Sequence, residues 1–252
     1  MNNYLQNKTA LITGASSGIG ESTAKYLATY GVNLILTSRD SNSLIELQKE
    51  LQSYDISVEI LSLDVRDIDD VKIKLSSLDI DILINNAGLA LGLEPIYKGD
   101  INQWDTMIDT NLKGLLYVSR TVIPNMIKKQ TAHIVNLGSV AGKTAYANGS
   151  VYCATKSAVH SLGESINADL FGTNVKMTTI APGAVKTNFS NVRFEGDRKK
   201  ADAVYEGFEP LSANDIASSI LNVLNTPPHV NIQYLDIMPT AQRNPYMIYK
   251  TN

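Results

Sequence analysis

Tyr152 and Lys156 lie four residues apart, and Ser139 lies 13 residues before the tyrosine. On a helix, a four-residue spacing stacks a phenol and an ammonium on one face, one turn apart. A free phenol loses its proton near pH 10, too high for a base at neutral pH. A cation held beside it favours the phenolate and lowers that value. The Ser139 hydroxyl can hold a substrate oxygen near the same phenol. These three groups suit proton exchange with an alcohol or carbonyl. Proton exchange at such a carbon normally accompanies hydride transfer, so a dinucleotide site is the next thing to seek.

The glycine-rich run Thr13-Gly14-Ala15-Ser16-Ser17-Gly18-Ile19-Gly20 supplies it, between a strand pattern and a helix pattern. Gly14 allows a tight turn, Gly18 lets a pyrophosphate approach the backbone, and Gly20 lets helix and strand pack. The helix start then offers free N–H groups and a favourable dipole to phosphate. Ser16, Ser17 and Ile19 fall inside this turn. The second strand pattern ends in Ser38-Arg39-Asp40. An acidic residue there would read the ribose hydroxyl of NAD, whereas a serine and an arginine suit the 2′-phosphate of NADP. NADP is the expected cofactor, unless Asp40 takes the reading position. Asp64-Val65 follows the third strand. Asp64 either accepts from the adenine amino group or caps the helix after Arg66. Asn85-Asn86-Ala87-Gly88 ends the fourth strand, where small residues admit a ligand and asparagines hold a turn. Asn111 interrupts a helical run, where its amide competes for backbone bonds. A kink there would place a water next to Lys156.

The elements that must position these groups follow from periodicity. Short apolar runs at residues 9–13, 33–37, 58–62, 80–84, 132–137, 176–180 and 231–236 read as strands buried on both faces. Helical patterns fill 20–29, 43–52, 68–76, 104–129, 151–171 and 214–224. Such alternation predicts an α/β fold with right-handed crossovers and a doubly wound parallel sheet. No repeat or linker interrupts the 252 residues, so one domain over 1–252 is expected. Residues 184–210, after the Pro182-Gly183 turn, form a long polar stretch expected to be a structureless lid. Residues 240–252 carry Tyr246, Met247, Ile248 and Tyr249, either as a subunit contact or as a frayed end.

Composition narrows the function classes. A net charge of −3 favours neither nucleic acid nor an anionic membrane. Arg198-Lys199-Lys200 reads as a solvated helix face. No run of 18 apolar residues offers a membrane span. The polar start, Met1 to Asn7, offers no apolar core for a signal peptide. Cys153 is the single cysteine, which excludes an internal disulfide and suits a reducing, cytoplasmic setting. His133, His160 and His229 are too scattered for a metal cluster and read as structural or exposed.

Together the turn at 13–20, Asn85 to Gly88, Asn111, Ser139, Tyr152, Lys156 and Pro182-Gly183 resemble the classical short-chain dehydrogenase/reductase family. The resemblance spans about residues 8–187. It implies a single Rossmann domain with a seven-stranded parallel sheet flanked by helices, usually in a homotetramer. It also implies cofactor contacts at Pro182, Gly183, Val185 and Thr187, and a catalytic set of Asn111, Ser139, Tyr152 and Lys156. Residues 114–118, 188–194 and 228–232 with Met238-Pro239 are similar to a narrower branch, the NADP-dependent 3-hydroxy acid dehydrogenases. That branch implies serine, allo-threonine and related hydroxy acids as substrates. Lys186-Thr187 departs from its more glycine-rich pattern. Arg193 or Lys186 either meets a substrate carboxylate or is an ordinary charge. Two other functions stay open: a broad carbonyl or 3-oxoacyl reductase, and an NADP-sensing regulator. A purely structural or assembly protein has only the apolar tail to recommend it.

Overall fold

The computed structural model describes residues 3–251; Met1, Asn2 and Asn252, the ends of the N-terminal segment and of the 240–252 tail, lie outside the described residues. The strands are β1 (Thr9–Thr13), β2 (Asn33–Ser38), β3 (Val58–Ser62), β4 (Ile82–Asn85), β5 (Ala132–Leu137), β6 (Val175–Pro182), β7 (Val185–Lys186), β8 (Leu211–Ser212), β9 (Tyr234–Ile237), β10 (Gln242–Asn244) and β11 (Met247–Ile248). The helices are α1 (Gly18–Ala28), α2 (Ser41–Leu51), α3 (Ile68–Leu75), α4 (Ile101–Ile108), α5 (Leu115–Met126), α6 (Ser150–Asp169), α7 (Phe189–Arg193), α8 (Arg198–Ala203) and α9 (Ala213–Leu224). Seven strands pair in parallel in the order β3-β2-β1-β4-β5-β6-β9. This is a single-domain α/β Rossmann fold. Winding reverses between β3 and β4, so a crevice opens beyond the carboxyl ends of β1 and β4, where such sheets bind ligands.

Side-chain alternation along each strand seals both faces. Ala10, Ile12, Leu34, Leu36, Ile82 and Ile84 pack with Ala24 and Leu27 of α1, Leu44 of α2 and Ile216 of α9. Their neighbours Leu11, Ile35, Leu83 and Ile134 pack on the other face with Val71 of α3 and Val118 of α5. Leu11 and Leu83 have no exposed surface, and each such leucine stabilises the fold by about 2 kcal/mol. That two-sided burial is why the strands read as continuous apolar runs.

Several boundaries differ from expectation. β4 begins at Ile82, not residue 80, because the Asp81 carboxylate accepts from the Thr9 N–H and the Lys8 ammonium. β9 spans Tyr234–Ile237, shifted from 231–236; Thr178 Oγ1 instead donates to the Ile232 carbonyl. The predicted helix over 104–129 is α4, a π-helical turn at Asp109–Gly114, then α5. The 184–210 stretch is not structureless. It holds β7, α7 and α8, with Glu195 and Gly196 at positive φ just after α7. The tail forms an antiparallel β10–β11 hairpin with Tyr246, Met247 and Tyr249 exposed. Among the described residues, no helix is long and apolar enough to cross a membrane.

A histidine in the sheet makes stability depend on pH. His133 on β5 is buried, with Nε2 2.8 Å from Thr178 Oγ1 and Nδ1 without a partner among the described residues. Burial, then the Lys176 charge, lower its pKa to about 3. The unfolded chain therefore takes up a proton near pH 6.5 that the folded chain refuses. Stability should fall as the pH drops below 6.5, by up to about 1.4 kcal/mol per pH unit from this site. Urea unfolding at pH 6.5 and 4.5 should show that loss, and His133→Gln should flatten it. An equal slope in the variant would assign the acid sensitivity elsewhere.

Candidate active site

One groove of about 310 Å³ runs along the carboxyl ends of the strands. Gly14 follows β1, Arg39 follows β2, Asp64 lies just past β3, Asn86 follows β4, Ser139 lies just past β5 and Gly183 follows β6; all line it. Ser16, Ser17, Gly18, Ile19, Ser38, Val65, Ala87, Gly88, Pro182, Val185 and Thr187 also line it, as expected. Gly20 does not; it packs behind, where a Cβ would fall 2.5 Å from the Gly14 carbonyl oxygen. Gly14 has φ +65°, and a Cβ there would meet Ala87 Cα at 2.9 Å. The turn is thus closed to larger residues, for the two reasons the glycine spacing suggested.

The groove fits a phosphorylated dinucleotide. Ser17, the N-cap of α1, makes no side-chain cap bond, so the first-turn N–H groups are left to a ligand. Ser16 and Ser38 hydroxyls lie 2.7 Å apart beside Arg39. Asp40 is not the acidic reader: its carboxylate caps α2, accepting from Ser43 N at 3.2 Å and Ser43 Oγ at 2.6 Å. Those Ser43 bonds hold it below the ordinary carboxylate range. Asp64 does not cap a helix either. Asp67 caps α3, while Asp64 pairs with Arg66 at 2.6 Å and is held ionised by it.

The four expected catalytic residues converge at one end. Tyr152, Lys156 and Ser139 are 8%, 7% and 9% exposed, low enough to feel a dry environment, yet each still lines the groove. Lys156 Nζ donates to the Leu137 carbonyl at 2.7 Å, which anchors α6 on the end of β5. Ser139 is extended (φ −172°) and caps a short 3₁₀ turn, Val140–Gly142, through Oγ to Ala141 N. Asn111 is buried within the π-helical turn, an irregularity common at functional sites. Its Oδ1 accepts from Leu89 N, and its Nδ2 donates to the Leu89 carbonyl and Thr155 Oγ1. A Cβ on Gly88 would lie 3.2 Å from Asn111 Oδ1 and 3.5 Å from Lys156 Nζ, so both flank that glycine.

Burial governs the titrations. It pushes the Tyr152 phenol well above its ordinary value; the hydrogen bond with Ser139 and, more weakly, the Arg193 charge pull it back. Burial lowers Lys156 to about 8. Lys156 is therefore poised to change charge near neutrality, and an anion in the groove would favour its protonated form.

Arg193 and Lys186 separate. Lys186 is exposed and lines another cavity beside Tyr205. Arg193, at the end of α7, lies with its guanidinium carbon 5.8 Å from the Tyr152 ring centre. Its Nε donates to the Gly92 carbonyl at 3.2 Å and Nη1 to Tyr146 Oη at 2.8 Å. Nη2 is buried with no partner among the described residues. Sequence reading missed Tyr146, and also Phe189, whose ring centre is 5.7 Å from that of Tyr152. The cue for Tyr146 was its place between Ser139 and Tyr152; nothing local marked Phe189.

Comparison with known proteins agrees with this geometry. A family model described as short chain dehydrogenase matches residues 8–198. The chain belongs to the short-chain dehydrogenase family. This short-chain dehydrogenase is 44% identical over 235 residues to the NADP-dependent 3-hydroxy acid dehydrogenase YdfG of Escherichia coli strain K12, covering 92% of this chain and 95% of that protein. It is 43% identical over 237 residues to sulfoacetaldehyde reductase 2 of Chromohalobacter salexigens, covering 92% and 94%. A solved structure, the closed form of serine dehydrogenase complexed with NADP+, superposes with a TM-score of 0.90 at 42% identity, covering 97% of this chain and all of that one.

Proposed function

We propose that this short-chain dehydrogenase oxidises the hydroxyl of 3-hydroxy acids such as serine or allo-threonine, and reduces the matching carbonyls, with NADP as cofactor. The observation that carries the substrate class is Arg193: a guanidinium beside the Tyr152 ring, in the small cavity that shares Tyr152 with the groove, with a buried nitrogen that has no partner among the described residues. The names of the two similar dehydrogenases support the same class. Gly14, Ser16–Ile19, Ser38, Arg39, Asp64, Val65, Asn86–Gly88, Pro182, Gly183, Val185 and Thr187 would hold NADP. When bound, NADP would supply the hydride acceptor for the hydroxyl-bearing carbon, and NADPH the hydride donor for the carbonyl.

The chain's own groups handle the proton. Tyr152 Oη takes it from the substrate hydroxyl in oxidation and gives it to the carbonyl oxygen in reduction. Ser139 Oγ donates to that oxygen and steadies its charge. Lys156, kept charged by the anionic ligand, lowers the Tyr152 pKa against the burial that raises it. Asn111 holds the Leu89 backbone and, with Lys156, flanks the path by which a water returns the proton to solvent. Arg193 Nη2 pairs with the substrate carboxylate and sets the carbinol against Tyr152. The whole chain acts as one unit, with 184–210 bordering the substrate. A homotetramer in a reducing cytoplasm suits the exposed tail aromatics and the lone buried Cys153.

The test is a substrate panel followed by NADPH absorbance, with NADH in parallel. It should include L-serine, L-allo-threonine, 3-hydroxypropionate, sulfoacetaldehyde and neutral diketones in the appropriate directions. Turnover of neutral carbonyls alone would replace the hydroxy acid reading with a broad carbonyl reductase. No turnover would leave an NADP-binding regulator. Arg193→Gln should raise KM for the acids ~10- to 100-fold, the range of one charge-assisted bond, and leave neutral carbonyls within about twofold. Equal effects on both substrate types would remove the carboxylate contact.

A further inference from the structure

A chain of polar contacts outside the groove runs inward from the exposed Lys143–Asp236 pair to the backbone of Ser139. His160 lies one turn beyond Lys156 on α6 and is 8% exposed. Its Nε2 is 3.3 Å from Ser139 N, and Tyr234 Oη on β9 is 3.2 Å from its Nδ1 and 3.5 Å from its Nε2. The two rings meet edge to face, with centres 5.3 Å apart at 85°. Burial and, after it, the charge of Asp236, two residues further along the same strand, raise the pKa of the Tyr234 phenol. Asp236 in turn pairs with Lys143, whose ammonium sits 4.1 Å from the Tyr234 ring centre.

A backbone N–H can only donate, so the Ser139 contact makes Nε2 the bare nitrogen and leaves the proton on Nδ1. Tyr234 Oη lies against both ring nitrogens and holds the imidazole in place. Space for the ring is reserved on both sides of the serine. A Cβ on Gly138 would collide with His160 Nε2, and one on Gly142 would fall 2.7 Å from Cε1. No other described glycine pair brackets a single side chain in this way within the β5–α6 loop.

We propose that His160 is a positioning residue for Ser139: a neutral hydrogen-bond acceptor, locked by Tyr234, that holds the serine backbone where its hydroxyl meets the substrate oxygen. The proposal rests on the assignment of Ser139 to that oxygen. It requires the imidazole to stay uncharged at working pH, since an imidazolium would present N–H to N–H. The charged groups facing it are Lys156 on α6, Lys143 from the β5–α6 loop and Asp236 on β9. Burial dominates, and the two lysines outweigh the opposing pull of the carboxylate and of the Ser139 backbone; the net effect lowers its pKa to about 4.

His160→Phe removes the acceptor and keeps the ring volume. It should lower kcat ~10- to 100-fold, the cost of a misplaced catalytic group, with NADPH affinity within about twofold of the parent. His160→Gln, whose amide oxygen can accept from Ser139 N–H, should recover kcat to within about threefold. Tyr234→Phe removes the lock but not the acceptor, and should lower kcat by an intermediate factor. If His160→Phe does not fold, the other two variants decide: unchanged kcat in Tyr234→Phe, or a loss in His160→Gln as large as that of Ser139→Ala, overturns the proposal. A parallel fall in kcat and NADPH affinity that Gln does not rescue makes His160 merely structural. Normal turnover by Ser139→Ala would instead overturn the underlying assignment of the serine.

Discussion

Tyr152→Phe is expected to bind NADP(H) with the parent's affinity and to lose turnover by a factor of ~10² to 10⁴, the span of general acid–base catalysis. The substitution deletes one oxygen and leaves the ring in place against Phe189, so the groove keeps its shape. The loss is large because no other described group can take over. Ser139 is unactivated, Lys156 is tied to the Leu137 carbonyl, and Cys153 is buried. Fluorescence titration with NADPH and steady-state assays on the same preparation separate binding from turnover. A variant within about tenfold of the parent kcat would remove Tyr152 from proton transfer. The parent's pH profile carries a second check. Burial raises the Tyr152 pKa, so a rise in oxidation rate well below pH 10 would require a cation to act on it once the groove is filled.

The second large effect concerns cofactor choice. Arg39→Ala should weaken NADPH ~10- to 100-fold, because a hydrogen bond to a charged group contributes about 1.5–3 kcal/mol. NADH, which lacks the 2′-phosphate, should change by less than about threefold. The selectivity follows from the capping of α2 by Asp40. With that carboxylate occupied by Ser43, only the serine hydroxyls and Arg39 remain at the end of β2 to meet the ribose. Binding isotherms for both nucleotides decide it. Equal losses for NADPH and NADH would move the 2′-phosphate to another part of the groove, with Arg66, paired with the groove-lining Asp64, the next cation to vary.

The candidate site residues were legible because their signals are local. A four-residue helical step, a glycine turn between strand and helix, and an asparagine out of place in a helix each follow from backbone geometry alone. Asn111 does sit in a π-helical turn. Ser38 and Arg39 line the groove while Asp40, one residue on, caps α2. Where two local meanings competed, the sequence did not choose. Asp64 and Asp67 both have capping chemistry, and only the path of the chain into α3 gave the cap to Asp67. The 184–210 stretch looked structureless because its helices are five and six residues long, too short to show a period.

Unaided, the amino-acid order determined the parallel α/β layering, the glycine turn after the first strand and the preference for NADP, and it singled out the residues that converge at one end of the groove. Tertiary structure alone decided which of two cations adjoins the phenol, that Tyr146 and Gly92 brace it, and that His160 reaches the backbone of Ser139. Those contacts join residues 21 to 101 positions apart, across elements that meet only when the sheet closes. Periodicity reports which face of an element is buried; it carries no information about which distant side chain will fill the space opposite.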